Sequence, residues 1–168
     1  MTVEQAVREA LAHEIDVRDL YVEAARNAGD ASARDFYRFL GKDEQSHVSY
    51  LEKKLQEWKA EGRITYEGLA SALPDPGVLE SAAETAGSAL AGKAPGGETE
   101  ALSRALAAEE LSVAFYRGLV TALGAEASKL FARFLEIEEG HRRIVRAELD
   151  LATRTGHWFD FREFDLED

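Results

Sequence analysis

Apolar residues recur every three or four positions in four long segments of the chain, and this is the spacing of a single buried helix face. The first segment, residues 2–27, contains no proline or glycine, so we predict one helix there. Ala28 and Gly29 supply a stop, and Asp30 is the predicted N-cap of a second helix that ends at about Ala60. Together these two helices form a predicted hairpin.

The second half of the chain repeats this plan. A third helix is predicted to begin near Thr99 and to end at Gly124, and a fourth runs from about Glu126 to Thr155, with Gly156 as its C-cap. All three prolines of the chain lie between the two hairpins, where we predict a crossover with at most one short helix, around residues 78–90. A connection of this length can travel along the bundle and leave the second and third helices parallel.

The predicted fold is therefore an all-α four-helix bundle of two antiparallel hairpins joined by a long crossover. Residues 1–156 form this bundle, with the crossover at about 61–98, and residues 157–168 form an acidic, aromatic tail. We expect the aromatic residues of the tail to pack on the bundle or on a second subunit, with docking of a partner as the alternative. These residues are Trp158, Phe159, Phe161 and Phe164.

Charged residues occupy positions that the helix periodicity assigns to the core. The apolar stripe of the first helix passes through Glu14, and that of the third helix passes through Glu109. In the second helix the stripe contains Glu44 and His47, and the fourth helix repeats the pair. The six predicted inward-facing groups are Glu14, Glu44, His47, Glu109, Glu138 and His141.

The two hairpins resemble a duplication, because each lone glutamate is followed by a tyrosine after seven residues and each later glutamate by a histidine after three. Glu14 lies fifteen residues before Gly29 and Glu44 fifteen after it, and the second hairpin has nearly the same spacing around Gly124. At about 1.5 Å per residue, these glutamates stand at one height, roughly 22 Å from their turns. All six side chains can therefore converge.

Four ionised carboxylates in an apolar interior are unfavourable by many kcal/mol unless positive charge or protons accompany them. Two divalent cations would balance the four glutamates. Oxygen and imidazole ligands in this mixture suit iron, manganese or zinc, and the sequence does not choose between these metals.

The motifs EQSH at residues 44–47 and EEGH at residues 138–141, each preceded by a lone glutamate, resemble the rubrerythrin branch of the ferritin-like di-iron carboxylate proteins. The resemblance covers residues 2–155. It implies two iron ions, bridged by Glu44 and Glu138, with one histidine on each metal and with terminal carboxylates from Glu14 and Glu109.

The resemblance also implies that Tyr21 and Tyr116 donate hydrogen bonds that orient the glutamates; the alternative is that both are ordinary core aromatics. At Ser112 the chain departs from rubrerythrins, which usually have a further glutamate there, and we expect this small residue to leave room for water or substrate. The chain has no cysteine, so reductase activity would depend on an external electron donor.

Several polar residues lie off the predicted stripes. We expect Asp43, Glu110, Glu136 and Glu139 to lie on solvated faces. His13 and His157 lack the E-x-x-H context, so we expect them to be surface or packing residues.

Composition limits the classes of partner. The net charge of −12 would repel the phosphate backbone of nucleic acid and an anionic membrane surface. The absence of cysteine excludes disulfides, thiolate metal sites and cysteine nucleophiles. No secretory signal or membrane span is evident, so a cytoplasmic location is the default expectation.

The sequence is consistent with three functions. The leading hypothesis is a di-iron oxidoreductase that reacts with hydrogen peroxide or dioxygen. The second is a ferroxidase or another iron-handling protein, and the third is a structural module that its metals only brace. The resemblance also implies a homodimer, because rubrerythrin-like proteins pair through their helices and sometimes exchange hairpins, an exchange that the long crossover would permit.

Overall fold

A computed structural model describes residues 1–66, 68–73, 96–156 and 158. These residues form four helices, α1 Val3–Asn27, α2 Ala31–Glu61, α3 Gly96–Ala122 and α4 Ala125–Thr155. The described part of the chain contains no strand, and the predicted all-α four-helix bundle is confirmed. The short helix predicted around residues 78–90 lies outside the described residues.

Local sequence signals explain most helix ends. The Oδ1 atom of Asp30 accepts hydrogen bonds from the N–H groups two and three residues later, as expected of an N-cap. Gly156 ends α4 with φ = 72°, a left-handed conformation that glycine adopts without steric cost. Thr2 and Gln5 form a reciprocal capping box at the start of α1.

Two boundaries differ from the prediction. Helix α3 begins at Gly96, three residues before the start predicted near Thr99. Gly124 is extended, at φ = −65° and ψ = 160°, and is the N-cap of α4 instead of the last residue of α3.

Each hairpin packs along its length, α1 against α2 and α3 against α4, while α1 and α3 make the main backbone approach between hairpins. The apolar core is divided into two clusters, one at each end of the bundle. One cluster contains the C-terminal half of α1 with the N-terminal half of α3, and includes Tyr21, Leu40, Leu102 and Val145. The other includes Val7, Leu51, Tyr116 and Phe131.

The same clusters define the helix directions. The N-terminal parts of α2 and α3 both contribute to the first cluster, and their C-terminal parts contribute to the second. These two helices are therefore parallel, as the long crossover predicted. Between the clusters lies a layer of buried polar residues at the middle of the bundle.

None of the helices in the described ranges carries an apolar stretch long enough to cross a membrane.

Replacing Asp30 by Ala should destabilise the bundle by about 1 kcal/mol, because two N–H groups at the start of α2 lose their acceptor. Urea unfolding followed by circular dichroism measures this change. Asp30→Asn is the matched control, since its amide oxygen can still cap the helix. Equal stability of the alanine and asparagine variants would contradict this account of the turn.

Candidate metal centre

The structure brings the six predicted inward-facing side chains together in the polar layer, and each of them is at most 1% exposed. Their candidate ligand atoms form two groups of four, and the atoms within each group lie within 4.8 Å of one another. The first group is Glu14, Glu44, His47 and Glu138, and the second is Glu44, Glu109, Glu138 and His141. Glu44 and Glu138 belong to both groups and could therefore each contact two ions.

Helix geometry explains how the residues reach this layer. The three-residue spacing of Glu44 and His47 places both on one face of α2, and α4 presents Glu138 and His141 in the same way. The Nδ1 atom of His47 lies 2.9 Å from Glu14 Oε2 and 3.0 Å from Glu44 Oε2. The imidazole thus faces carboxylates from two helices.

His141 occupies the equivalent position on the other side of the layer. Its Nδ1 atom is 2.8 Å from Glu44 Oε1, but the two atoms are not aligned as a hydrogen bond. The two imidazole rings lie nearly parallel, with centroids 5.6 Å apart. Both Nδ1 atoms therefore point towards the shared glutamates.

Several atoms of this layer have no hydrogen-bond partner although they are shielded from water. They include Glu44 Oε1, Glu109 Oε2, both carboxylate oxygens of Glu138, Nδ1 of His141 and Nε2 of His47. A buried polar atom without a partner costs about 1–3 kcal/mol. Metal ions would supply partners for the carboxylate oxygens and for Nδ1 of His141, so the residues present fit a metal centre on geometric and chemical grounds.

The electrostatics of the layer show how it is compensated without metal. Burial, together with the neighbouring carboxylates, raises the pKa of Glu14 and of Glu109 well above the ordinary value of 4.5. Burial opposes the charged forms of His47 and His141, but the surrounding carboxylates raise the pKa of both well above 6.5. Glu14, Glu109 and the two imidazoles therefore bind protons more tightly than ordinary carboxyl and imidazole groups do.

Glu44 behaves differently from the terminal glutamates. Burial by itself would raise its pKa, but the imidazoles of His141 and His47 outweigh burial and hold the pKa of Glu44 well below its usual range. The charged form of Glu44 is therefore favoured down to a lower pH than that of an ordinary carboxyl group.

The two predicted tyrosines connect the hairpins. The hydroxyl of Tyr21 on α1 donates to Oε1 of Glu109 on α3, and the hydroxyl of Tyr116 on α3 donates to Oε1 of Glu14 on α1. Both rings are fully buried, and burial raises the pKa of each phenol well above 10. Each terminal glutamate is thus oriented by a neutral donor from the opposite hairpin.

Asp43 does not lie on a solvated face, and that prediction is wrong. Asp43 is only 4% exposed, and its Oδ2 accepts a hydrogen bond from Nε2 of His141 at 2.9 Å. Burial alone would raise the pKa of Asp43, but the contact with His141 lowers it below the usual value. The signal that could have revealed this residue is its four-residue spacing from His47, which places both near one face of α2.

Ser112 is fully buried beside the layer, and its hydroxyl oxygen lies 2.8 Å from Nε2 of His13. The imidazole of His13 stacks on Phe115, with ring centroids 4.7 Å apart. His13 is therefore a packing residue, and the Ser112 side chain is occupied by this contact and by a hydrogen bond to the carbonyl of Ala108.

The other predicted solvated residues lie on the outside of the bundle in ion pairs. Glu110 pairs with Arg146, and Glu139 pairs with Arg117. Glu136 pairs with Arg133 within α4.

His157 lies outside the described residues. In the tail, Trp158 packs on the bundle, 5.9 Å from Phe36 between ring centroids.

Comparisons with known proteins bear on the fold only. No family profile matches the chain. No curated protein matches it either. Among solved structures, the chain is similar to a hypothetical protein from Pyrococcus furiosus, with a TM-score of 0.60, 19% sequence identity and coverage of 90% of each chain. At this identity the likeness shows a shared helical fold, and any statement about chemistry must rest on the residues of the polar layer.

The metal-free protein should lose stability as the pH rises from about 5 to about 8. The pKa values of Glu14 and Glu109 lie above 4.5 and those of the two histidines above 6.5 in the folded state, so the folded chain binds more protons than the unfolded chain over this interval. The lowered pKa of Glu44 affects stability only at more acidic pH. Thermal melts with a chelator present measure the trend.

Metal-loaded protein should show the opposite or a flat trend, because metal ligands must be deprotonated. The double variant Glu14→Gln/Glu109→Gln should weaken the dependence in the metal-free state, whereas Glu110→Gln, an exposed neighbour, should leave it unchanged. A metal-free Tm that rises with pH would contradict the proton-compensated layer.

Proposed function

We propose that this protein is a non-haem di-iron oxidoreductase that reacts with hydrogen peroxide or dioxygen and receives electrons from an external donor. The observation that supports this proposal most strongly is the pair of buried four-residue ligand groups that share Glu44 and Glu138. Bracing a bundle requires no such sharing, whereas two adjacent iron(II) ions could each give one electron to a peroxide, whose reduction takes two.

The composition of the site agrees with iron. Four carboxylates and two imidazoles are acceptable ligands for iron(II), manganese(II) and zinc(II), and two divalent ions match the four glutamate charges. Iron, when bound, would supply the redox chemistry. The E-x-x-H motifs and the preceding lone glutamates further support assignment to the rubrerythrin-like branch.

The surrounding residues provide the conditions for such chemistry. The apolar clusters on both sides of the layer exclude bulk water. Tyr21 and Tyr116 hold Glu109 and Glu14 in fixed orientations and remain protonated at neutral pH. The external donor, a homodimeric state and a cytoplasmic location are parts of the same proposal.

Metal stoichiometry tests the two ligand groups. The wild-type chain should bind two ions, while His47→Ala and His141→Ala should each retain one, because each histidine belongs to a single group. Replacing the shared Glu44 by Ala should reduce binding of both ions. Elemental analysis after equilibrium dialysis gives the counts, with Glu110→Gln as the control; two tightly bound ions in Glu44→Ala would contradict the assignment.

Reaction with oxidant tests the function. Anaerobically prepared diferrous protein should be oxidised by stoichiometric hydrogen peroxide within seconds, as followed by the growth of near-ultraviolet absorbance in a stopped-flow instrument. Turnover of many irons per chain with dioxygen would instead indicate iron handling. Tight binding without any reaction with either oxidant would indicate a metal that only braces the fold.

A further inference from the structure

Asp43 joins the metal centre to the crossover. One of its oxygens, Oδ2, accepts hydrogen bonds from His141 Nε2 at 2.9 Å and from the Ser71 hydroxyl at 2.7 Å. The other oxygen, Oδ1, accepts the N–H of Ala72 at 2.8 Å. A single buried carboxylate thus connects α4 to residues 68–73 of the crossover, through contacts that span 28 and 29 residues of the chain.

The same carboxylate lies close to the second imidazole. Asp43 Oδ2 is 3.8 Å from Nε2 of His47, which is too long for a hydrogen bond but close enough for electrostatic attraction. Since both Nδ1 atoms face the glutamates, Asp43 is on the far side of the two rings from the ligand cluster.

Side-chain packing also connects the 68–73 segment to α4. A Cβ atom at Gly140 would lie 2.6 Å from Cδ1 of Leu73, so the crossover contacts α4 directly beside His141. The N–H of Leu73 donates to the Ser71 hydroxyl oxygen at 3.1 Å, which holds this hydroxyl towards Asp43. The 68–73 segment therefore covers α4 at the position of the metal-site histidine.

We propose that Asp43 is a positioning residue that fixes the His141 imidazole with its N–H on Nε2, leaves Nδ1 free for metal, and couples metal binding to the docking of the 68–73 segment. This inference rests on the proposed metal centre and extends it. A carboxylate behind a histidine ligand sets the ring orientation and makes the imidazole a stronger ligand. Because the same carboxylate anchors the crossover, metal binding should favour docking of the 68–73 segment, and docking of the segment should favour metal binding to the same extent.

The variant Asp43→Asn separates these roles from simple packing. An asparagine has the same shape, but one of its two terminal atoms is an amide nitrogen, which would meet the N–H of either His141 or Ala72. We expect the affinity for cobalt(II) or zinc(II), measured by competition with a chromophoric chelator, to fall by about 10–100-fold. Asp16→Asn, on the exposed face of α1, is the matched control and should not change the affinity.

Two further measurements distinguish a positioning role of Asp43 from a role in packing alone. In wild-type protein, zinc binding should slow hydrogen exchange of the Ala72 amide, and Asp43→Asn should abolish this difference. In cobalt(II)-substituted protein, the exchangeable Nε2–H proton of His141 should give a shifted NMR signal that is lost in Asp43→Asn but kept in Ser71→Ala, which removes only the hydroxyl contact to the crossover. The serine variant also supplies the test if the asparagine variant fails to fold: zinc should then slow Ala72 exchange less than in wild type.

These experiments distinguish failure of the positioning role of Asp43 from failure of the proposed metal centre. If the wild-type chain binds two ions but Asp43→Asn binds them with unchanged affinity, or if Ala72 exchange does not respond to zinc in the wild type, the positioning role is wrong and the metal centre stands. If the wild-type chain binds no metal, the proposed function fails, and the inference fails with it.

Discussion

The central physical constraint in this bundle is the burial of four glutamates and two histidines in one layer, away from water and in a medium of low dielectric constant. Carboxylates at this depth can remain charged only if cations are close, and otherwise they take up protons. The pKa values of Glu14, Glu109, His47 and His141 are all raised, so proton uptake can meet this requirement when no metal is bound. Protons and metal ions would therefore compete for this layer.

This layer also determines how the two hairpins are joined. Neither four-residue ligand group comes from a single hairpin: the first takes Glu138 from α4, and the second takes Glu44 from α2. The hydrogen bonds of Tyr21 and Tyr116 cross between hairpins in the same way. A bound pair of ions would consequently act as a link between halves whose backbones otherwise approach mainly along α1 and α3.

A buried ionic cluster is not an efficient source of stability, since well-packed apolar residues in its place are often as stable or more so. The chain nevertheless places all six groups in duplicated register between two continuous apolar clusters. Asp43 adds a further buried charge and a contact to the crossover. The flanking clusters supply most of the fold stability, and this division agrees with the proposal that the polar layer serves metal binding.

The hairpins and the six inward-facing residues could be predicted from the chain alone, because helix periodicity and turn residues are local signals and the duplication repeats them. Three contacts could not be predicted in this way: the pairing of each tyrosine with its glutamate, the contact of Ser112 with His13, and the burial of Asp43 by the crossover. Each of these contacts joins residues far apart in the chain. Helix periodicity assigns a residue to one side of its own helix, and the segment that covers that side is set by packing between distant elements.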